Sequence, residues 1–551
     1  MTIVSFLAGA GRRTLLIMAA LIVVAGLANA GLLVAINRIA VEVAQGQWPG
    51  LVMWVAFGLT FLTYYLCNNT ALLRANRVIE DLLNRLRLNV VDRLRQAELL
   101  DADRVGRGSL YAMVSHETNH LSVTFPLLVD ALQQAVLLFF SLLYLATLSP
   151  MAFAVFLVAV AVGIAAYMTI NRRFSRTLGR LSRQQGRLLD SIDAILRGAK
   201  ELRLNAARGQ AVEQAYRRLS RATEDDLVAS GEHWAEMILL SSFVTYLMLG
   251  IVAYFFPAFV GGHTLLVFQL VPVLLFCISP LAKIIAQSPM FLRAQVGLDG
   301  ILAVERQLIE AGGVSPTEAR AAAQAFAGFT TIRYDRIGFT HHDENGDPGF
   351  TAGPLSLGLT RGEGVFLVGG NGSGKSTVLR LLCGLYPAER GTIQVDGQTL
   401  TRHDVAGLRE LFSAIFVDFH LFDRLYGAEN IDPAQVRDLL HDMGLGSKVR
   451  YVDGRFSTTS LSTGQRKRLA LVAALLEDRP IYLFDEWSAE QDIHFRRYFY
   501  ETVIPGLKAQ GKLVVAVTHD ERYWHVADRV VKLDLGAVVW DRPGPSWEAS
   551  S

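Results

Sequence analysis

Cysteine is scarce in this chain. Cys67, Cys277 and Cys383 are the only three in 551 residues, and they are scattered without the paired spacing of a metal site or a redox motif. Neither a disulfide framework nor a cysteine-held metal is expected. An excess of one charge is missing too: 53 Lys and Arg against 51 Asp and Glu leave a formal net charge of +2. That balance carries no nucleic-acid footprint, so a nucleic-acid partner is not expected. Apolar residues, by contrast, make up 51% of the chain, and the mean hydropathy of +0.31 is high for a soluble protein. The length allows two or three domains.

The apolar residues gather in long runs. Six segments meet the requirement of roughly 20 predominantly apolar residues for crossing about 30 Å of hydrocarbon: Thr14 to Ile36, Leu51 to Leu73, Leu121 to Leu148, Met151 to Ile170, Ile238 to Phe256 and Leu265 to Ala286. Arg12-Arg13, an apolar run and Ala28-Asn29-Ala30 imitate a secretory leader, but the run continues to Ile36 and others follow. It reads as an uncleaved first span. Arginines crowd two connections, from Arg74 to Arg107 and from Arg172 to Arg221, whereas the opposite-side connections hold just Arg38. Basic residues accumulate on the cytoplasmic side of spans, so both basic connections and both termini are expected in the cytoplasm. Most of these charges solvate helices and set orientation. They do not explain why the connections are far longer than a turn needs, which implies contact with something cytoplasmic.

The last two fifths read differently. Beyond the polar, alanine-rich stretch Glu310 to Ala327, short β-branched runs alternate with helical patterns, as in a doubly wound α/β domain. The apolar run Val365 to Val368 leads into Gly369-Gly370-Asn371-Gly372-Ser373-Gly374-Lys375-Ser376, the spacing of a phosphate loop. Glycines let successive N–H groups converge on phosphate oxygens, and the helix starting near Lys375 aims its positive end there. The expected nucleotide contacts are Gly369, Asn371, Gly372, Ser373, Gly374, Lys375, Ser376 and Thr377, with Lys375 on the β/γ-phosphates and the Ser376 hydroxyl on Mg²⁺. The bland alternative is a glycine-rich turn with a chance lysine. The flanking strand and helix favour the cradle. Ile481 to Phe484 should be a buried strand ending in Asp485, a Mg²⁺ ligand, and Glu486, which would polarise the attacking water. Another strand in VVAVTHD puts His519 at its tip, near the γ-phosphate. Upstream, Ser462 and Gly464 open an amphipathic helix, a second anion-binding end. Two such ends are odd for one nucleotide, unless two copies face each other.

Taken in order, Gly369 to Ser376, Leu461 to Gln465, Ile481 to Glu486, Ser488 to Asp492 and His519 resemble the Walker A, signature, Walker B, D-loop and H-loop motifs of ABC transporter ATPases. The resemblance spans the chain and implies an ABC exporter half-transporter. Its fold would be an α-helical six-span membrane domain with long cytoplasmic helical arms (residues 1–310), a linker (311–327) and an α/β P-loop ABC ATPase domain (328–551). It further implies ATP and Mg²⁺ as cofactors, hydrolysis coupled to transport with Glu486, Lys375 and His519 as catalytic residues, and a homodimer in which Ser462, Gly464 and Gln465 cap the partner's nucleotide. LFSAIFVDFHLFD, LSTGQRKRLAL, DEWSAEQDIHFRRYFY, THDERYWHVADRVVKL and GAKELRLN are similar to the branch that exports cyclic peptides and peptide siderophores across the bacterial inner membrane. A peptide-like cargo is therefore expected. A lipid or multidrug exporter is the alternative, and a non-transporting regulatory ATPase a more distant one.

The chain departs from the family pattern in places. Val417 stands where a Gln usually precedes Asp418, and valine can neither ligate a metal nor orient water, so either Asp418 or His420 substitutes or the loop serves only mechanically. His341 takes the register of an adenine-stacking Tyr, against the plain alternative of a surface histidine, and Thr463 replaces the first signature glycine. Within the spans, Asp130 and Lys283 would either line an inward-facing cavity or form a structural ion pair. Helical segments around Arg104 to Met113 and Ala207 to Tyr216 are expected to touch the ATPase surface.

Overall fold

The computed structural model describes residues 6–105, 118–251, 254, 264–310, 312–343, 346–427 and 431–544. By its internal contacts the chain divides into two units, Met1–Arg95 with Asp101–Glu310, and Gln96–Leu100 with Ala311–Ser551.

The first unit is built on long helices: α1 (Arg12–Ala44), α2 (Leu51–Gln96), α3 (Thr118–Leu148), α4 (Pro150–Arg197), α5 (Ala206–Gly250) and α6 (Thr264–Glu310). Among the described residues, α1, α2, α3, α4 and α6 are long and apolar enough to cross a membrane. The segment expected as the fifth span, Ile238 to Phe256, fills the end of α5 and then runs partly outside the described residues. The reversal between α3 and α4 is local chemistry. Ser149 caps α4 by accepting a hydrogen bond from the Ala152 N–H at 3.3 Å, and Pro150 occupies the first turn, where its missing N–H loses nothing. The basic connections turn out to be continuations of the apolar helices. α2 and α4 run unbroken past Leu73 and Ile170, their charged faces laced by spaced pairs such as Arg85–Asp81 and Arg197–Asp193. Of the segments expected to touch the ATPase, Ala207 to Tyr216 lies in α5, while Arg104 to Met113 lies mostly outside the described residues.

One core of this unit packs Leu33 of α1, Leu145 of α3, Phe156 of α4, Met248 of α5 and Leu270 and Leu274 of α6. A polar cluster sits elsewhere between α3 and α6. Lys283 Nζ lies 2.9 Å from Asp130, the Gln287 amide donates to Asp130 Oδ2 at 2.8 Å, and the Gln134 amide donates to Oδ1 at 3.3 Å. The two span charges are thus an ion pair with amide support. Breaking such a pair on one side leaves the other charge uncompensated. Because Lys283 is 49% exposed, the expected loss for Asp130→Asn is about 1–3 kcal/mol, below the cost of breaking a fully buried pair. A lowered unfolding midpoint in detergent, restored by adding Lys283→Met, is the result that checks it.

The second unit begins with α7 (Pro316–Phe326), whose Ser315 and Glu318 form a reciprocal capping box. The stretch read as a linker therefore contains a helix, and it packs tightly: a Cβ on Gly407 would come within 2.5 Å of Ala322 Cβ. A four-stranded antiparallel sheet has the order β2-β1-β4-β5, from β1 (Thr331–His342), β2 (Pro348–Thr360), β4 (Arg390–Val395) and β5 (Gln398–Thr399). The central sheet has six strands ordered β12-β11-β3-β10-β9-β6: β3 (Gly364–Val368), β6 (Phe412–Ile415), β9 (Ile481–Asp485), β10 (Leu513–Val517), β11 (Arg529–Asp534) and β12 (Ala537–Pro543). All its pairings are parallel except β11 with β12, and a separate antiparallel pair joins β7 (Tyr451–Val452) to β8 (Arg455–Phe456).

The apolar strand runs follow from burial on both faces. In β3, Val365 and Leu367 enter one core while Phe366 and Val368 enter the other. In β9, Ile481 and Leu483 face the first core, and Tyr482 and Phe484 the second. Parallel register brings Leu367 and Asp485 level on either side of Val517 of β10. The carboxyl ends of β3, β9 and β10 therefore emerge together, with β3 flanked by β10 on one side and β11 on the other, where ligands bind in open α/β sheets.

Candidate functional site

The loop after β3 is shaped for close approach of something small to its backbone. Gly369 has φ +156°, and a Cβ there would stand 2.3 Å from the Leu533 carbonyl oxygen. Gly374 has φ +90°, with the Phe350 ring 2.6 Å from where its Cβ would be. Neither position admits another residue without displacement of its neighbours. α8 (Lys375–Leu382) starts at once, its first N–H groups free at the loop. Lys375 is buried and folds back over the loop, its ammonium donating to the carbonyls of Gly369 at 3.1 Å and Gly370 at 2.9 Å. Burial holds this ammonium below its ordinary value, opposed by the Glu486 and Asp485 carboxylates.

Asp485 ends β9 and is 2% exposed, yet neither of its oxygens meets the geometry of a hydrogen bond. Burial raises its carboxyl above the usual range; the adjacent Ser376 hydroxyl opposes the rise and the charge of Glu486 adds to it. A buried carboxylate with open lone pairs, beside a hydroxyl at a phosphate loop, is a donor set of hard oxygens that suits Mg²⁺. Glu486 follows in the left-handed region at φ 49°, uncommon for a residue with a side chain. His519, just beyond β10, presents Nε2 to Glu486 Oε1 at 3.0 Å. The strand end carrying His519 is braced by buried hydroxyls: Ser488 Oγ lies 2.8 Å from Tyr500 OH, which lies 2.5 Å from Thr518 Oγ1, which accepts from the Asp520 N–H at 3.0 Å.

Ser462 caps α9 (Thr463–Glu477), and Ser462 and Thr463 are exposed at its start. The Gln465 amide oxygen accepts from the Ser462 N–H at 3.4 Å, so this side chain closes its own helix end. His341 lies beside Thr377, Nε2 to Oγ1 at 3.4 Å, and meets Phe339 and Tyr386 edge to face. Burial lowers its pKa and Arg380 adds to that, which favours the neutral ring. Adenine stacking needs a free ring face; Phe339 and Tyr386 stand edge-on to His341, and Phe350 is tilted at 38° with its centroid 6.5 Å away.

The sequence reading had no place for Arg380, and it bears on Val417. Val417 is 54% exposed, while the Arg380 guanidinium of α8 grips both oxygens of Asp418 at 2.9 Å and lies over the rings of Tyr386 and Phe416. Asp418 is thereby engaged by the phosphate-loop helix, and this loop is anchored by charge beside Val417. Arg380→Ala removes both the fork and the stack, with an expected loss of about 1–2 kcal/mol and faster amide exchange over residues 416–422. Lys467 was missed too. Its signal was a lysine at a helical spacing from Leu471 and Ala474, on a face that is otherwise apolar and buried.

The ABC transporter family profile matches residues 352–489. Along nearly the whole chain, the protein is similar to ATP-binding protein SyrD of Pseudomonas syringae pv. syringae, 29% identical over 94% of this chain and 92% of that one. An ATP-dependent lipid A-core flippase of Hahella chejuensis is 33% identical but over 38% of this chain and 37% of its own length. A macrolide export ATP-binding/permease protein MacB of a Shewanella species is 30% identical over 35% and 31%. The solved structure of a bacterial Atm1-family ABC exporter with ATP bound has the same fold, with a TM-score of 0.77 at 20% identity over 97% of this chain and 96% of that one. A unit of apolar span-length helices joined to an ABC ATPase, with one relative and one fold matched from end to end, makes this chain an ABC exporter half-transporter in which ATP hydrolysis is coupled to transport.

Proposed function

We propose that two copies of this chain export a peptide-like compound across the bacterial inner membrane, driven by ATP, with both termini of each copy in the cytoplasm. The reading takes residues 1–310 as the membrane domain and 328–551 as the ATPase, with 311–327 between them. Its main support is the match to a relative over both units, whereas the flippase and macrolide-exporter matches span little more than a third of the chain. The motifs shared with the peptide-exporting branch add to it.

In this reading the residues take the following roles, and the geometry supports them. Backbone N–H groups of Gly369, Asn371, Gly372, Ser373, Gly374 and Thr377 receive the phosphates, and Lys375 leaves its loop carbonyls to meet the β/γ-oxygens. Ser376 and Asp485 hold Mg²⁺, which when bound neutralises charge on the phosphates. Glu486 orients and polarises the attacking water, and His519 meets the γ-phosphate. His341 sits at the edge expected for the base. Ser462, Gly464 and Gln465 cap the nucleotide of the other copy; among the described residues no hydrogen bond joins them to their own phosphate loop. Nucleotide sandwiched this way ties two ATPase units together, and its cleavage releases them, shifting the membrane units between inward and outward openings.

Uptake into inverted vesicles tests the cargo. Peptide products of neighbouring biosynthetic genes should be taken up with ATP and not without it. Uptake of lipid or unrelated drugs in their place would favour the alternative exporters, and ATP turnover with no flux would favour the regulatory ATPase.

A further inference from the structure

Lys467 is the most buried lysine in the ATPase unit, 3% exposed, on the inner face of α9. A buried ammonium persists only where it is paired. Its partners lie in one short segment: Nζ donates to the backbone carbonyl of Glu486 at 2.9 Å and lies 3.2 Å from Glu490 Oε2. Two further bonds join the same segment to the same helix. Trp487 Nε1 donates to the Lys467 carbonyl at 2.9 Å, and the Gln491 amide donates to the Gly464 carbonyl at 3.0 Å. The helix end that carries Ser462 is therefore tied directly to the residue at the strand end.

Glu486 is where that tie matters. Its left-handed backbone is disfavoured by about 1–2 kcal/mol for a residue with a Cβ, so something must hold it. Its carbonyl accepts a charge-assisted bond from the Lys467 ammonium and a longer one from the Ala489 N–H at 3.2 Å, and leaving the left-handed region would swing the carbonyl off the ammonium. The same backbone angles set the direction of the Glu486 Cβ, and hence the carboxylate that meets His519 at 3.0 Å.

We propose that Lys467 is a positioning residue for hydrolysis: it holds Glu486 in its left-handed conformation and makes the orientation of that carboxylate depend on the position of the signature helix in the same copy. The proposal rests on the reading of Glu486 as the group that polarises water. A shift of α9 as Ser462 engages a nucleotide reaches the carboxylate through one buried amine, with no flexible segment between. Misplacing a catalytic group by about 1 Å costs up to 10²-fold in rate.

The test uses the full chain in detergent or lipid discs, measuring ATP turnover, KM for ATP and the unfolding midpoint. Lys467→Met keeps length and apolar packing and removes the ammonium. Expected is a fall in kcat of about tenfold or more, with KM within about twofold because the phosphate loop is untouched. Lys467→Gln, whose amide can still donate to the Glu486 carbonyl, should recover part of the rate. Glu490→Gln, which leaves the ammonium-to-carbonyl bond in place, should keep most of it. A folded Lys467→Met with wild-type kcat at temperatures well below its midpoint overturns the proposal, as does a KM that rises in step with the fall in rate. Should the Met variant not fold, Lys467→Gln decides: a lowered kcat at unchanged KM supports the proposal, and a wild-type kcat overturns it. Glu486→Gln run in parallel separates the two readings, since turnover retained there counts against the role of Glu486 itself.

Discussion

Glu486→Gln is expected to lower ATP turnover by roughly 10²–10⁴-fold, the range for loss of a general base, while ATP binding stays within a few-fold of wild type. The substitution is nearly isosteric and exchanges one oxygen for an NH₂ group. It leaves the backbone carbonyl that Lys467 holds, so the left-handed turn persists. It also leaves Lys375 and the glycine loop in place, which bind the phosphates in the proposed reading. What disappears is the ability to accept a proton from water and the charge that His519 faces at 3.0 Å. Stability should change little, because Glu486 is not fully buried. Phosphate release and equilibrium binding of a fluorescent ATP analogue give the two quantities. A variant hydrolysing within threefold of wild type would mean that another group activates the water, and no other carboxylate of the site stands free for it: Asp485 belongs to the metal in this reading, and Asp418 is gripped by Arg380.

The ATPase unit was legible in the sequence because its parts are written in runs of neighbouring residues. A strand buried on both faces must be apolar at every position, as in Val365–Val368 and Ile481–Phe484, and the polar residue ending each run then marks the ligand edge of the sheet. Parallel pairing turns that edge into one place, so Lys375, Asp485 and His519, far apart along the chain, converge without any local signal of convergence. The long apolar helices were equally plain. What stayed hidden were contacts between segments with no shared periodicity. Nothing local tells that Arg380 reaches Asp418 or that Lys467 turns inward to a carbonyl. The basic arms show a different limit. Their charge sets an expectation of side, but whether such a stretch is a separate element or the end of a span depends on where the hydrocarbon stops, and α2 and α4 simply continue through it.

The second large effect concerns Asp485, where activity and stability should move in opposite directions. Asp485→Asn is expected to reduce Mg²⁺-dependent turnover by at least about 10²-fold, the scale seen when a charged group serving a transition state is lost, and to raise the unfolding midpoint of the ligand-free protein. The carboxyl is buried, and that desolvation outweighs the Ser376 hydroxyl and the Val417 N–H, which favour the ionised form, so its folded pKa lies above its unfolded value near 3.9. For an acid shifted upward, the linked stabilisation is present while the group is protonated, below the unfolded value, and is lost as pH rises through the folded one. At neutral pH the ionised side chain is therefore a net burden on the ligand-free protein, and a neutral amide relieves it, so the variant unfolds at a higher midpoint. The advantage of the Asn variant should shrink as pH falls and vanish once the wild-type carboxyl is protonated. Mg²⁺ with nucleotide should reverse the order, stabilising wild type more than the variant, because the cation supplies the charge that the carboxylate lacks. Thermal unfolding from pH 5 to 8, with and without the ligands, reads all of this apart from turnover. An Asn variant less stable than wild type at every pH would show instead that the carboxylate already has its partners within the protein, and the assignment of Asp485 to the metal would fail with it.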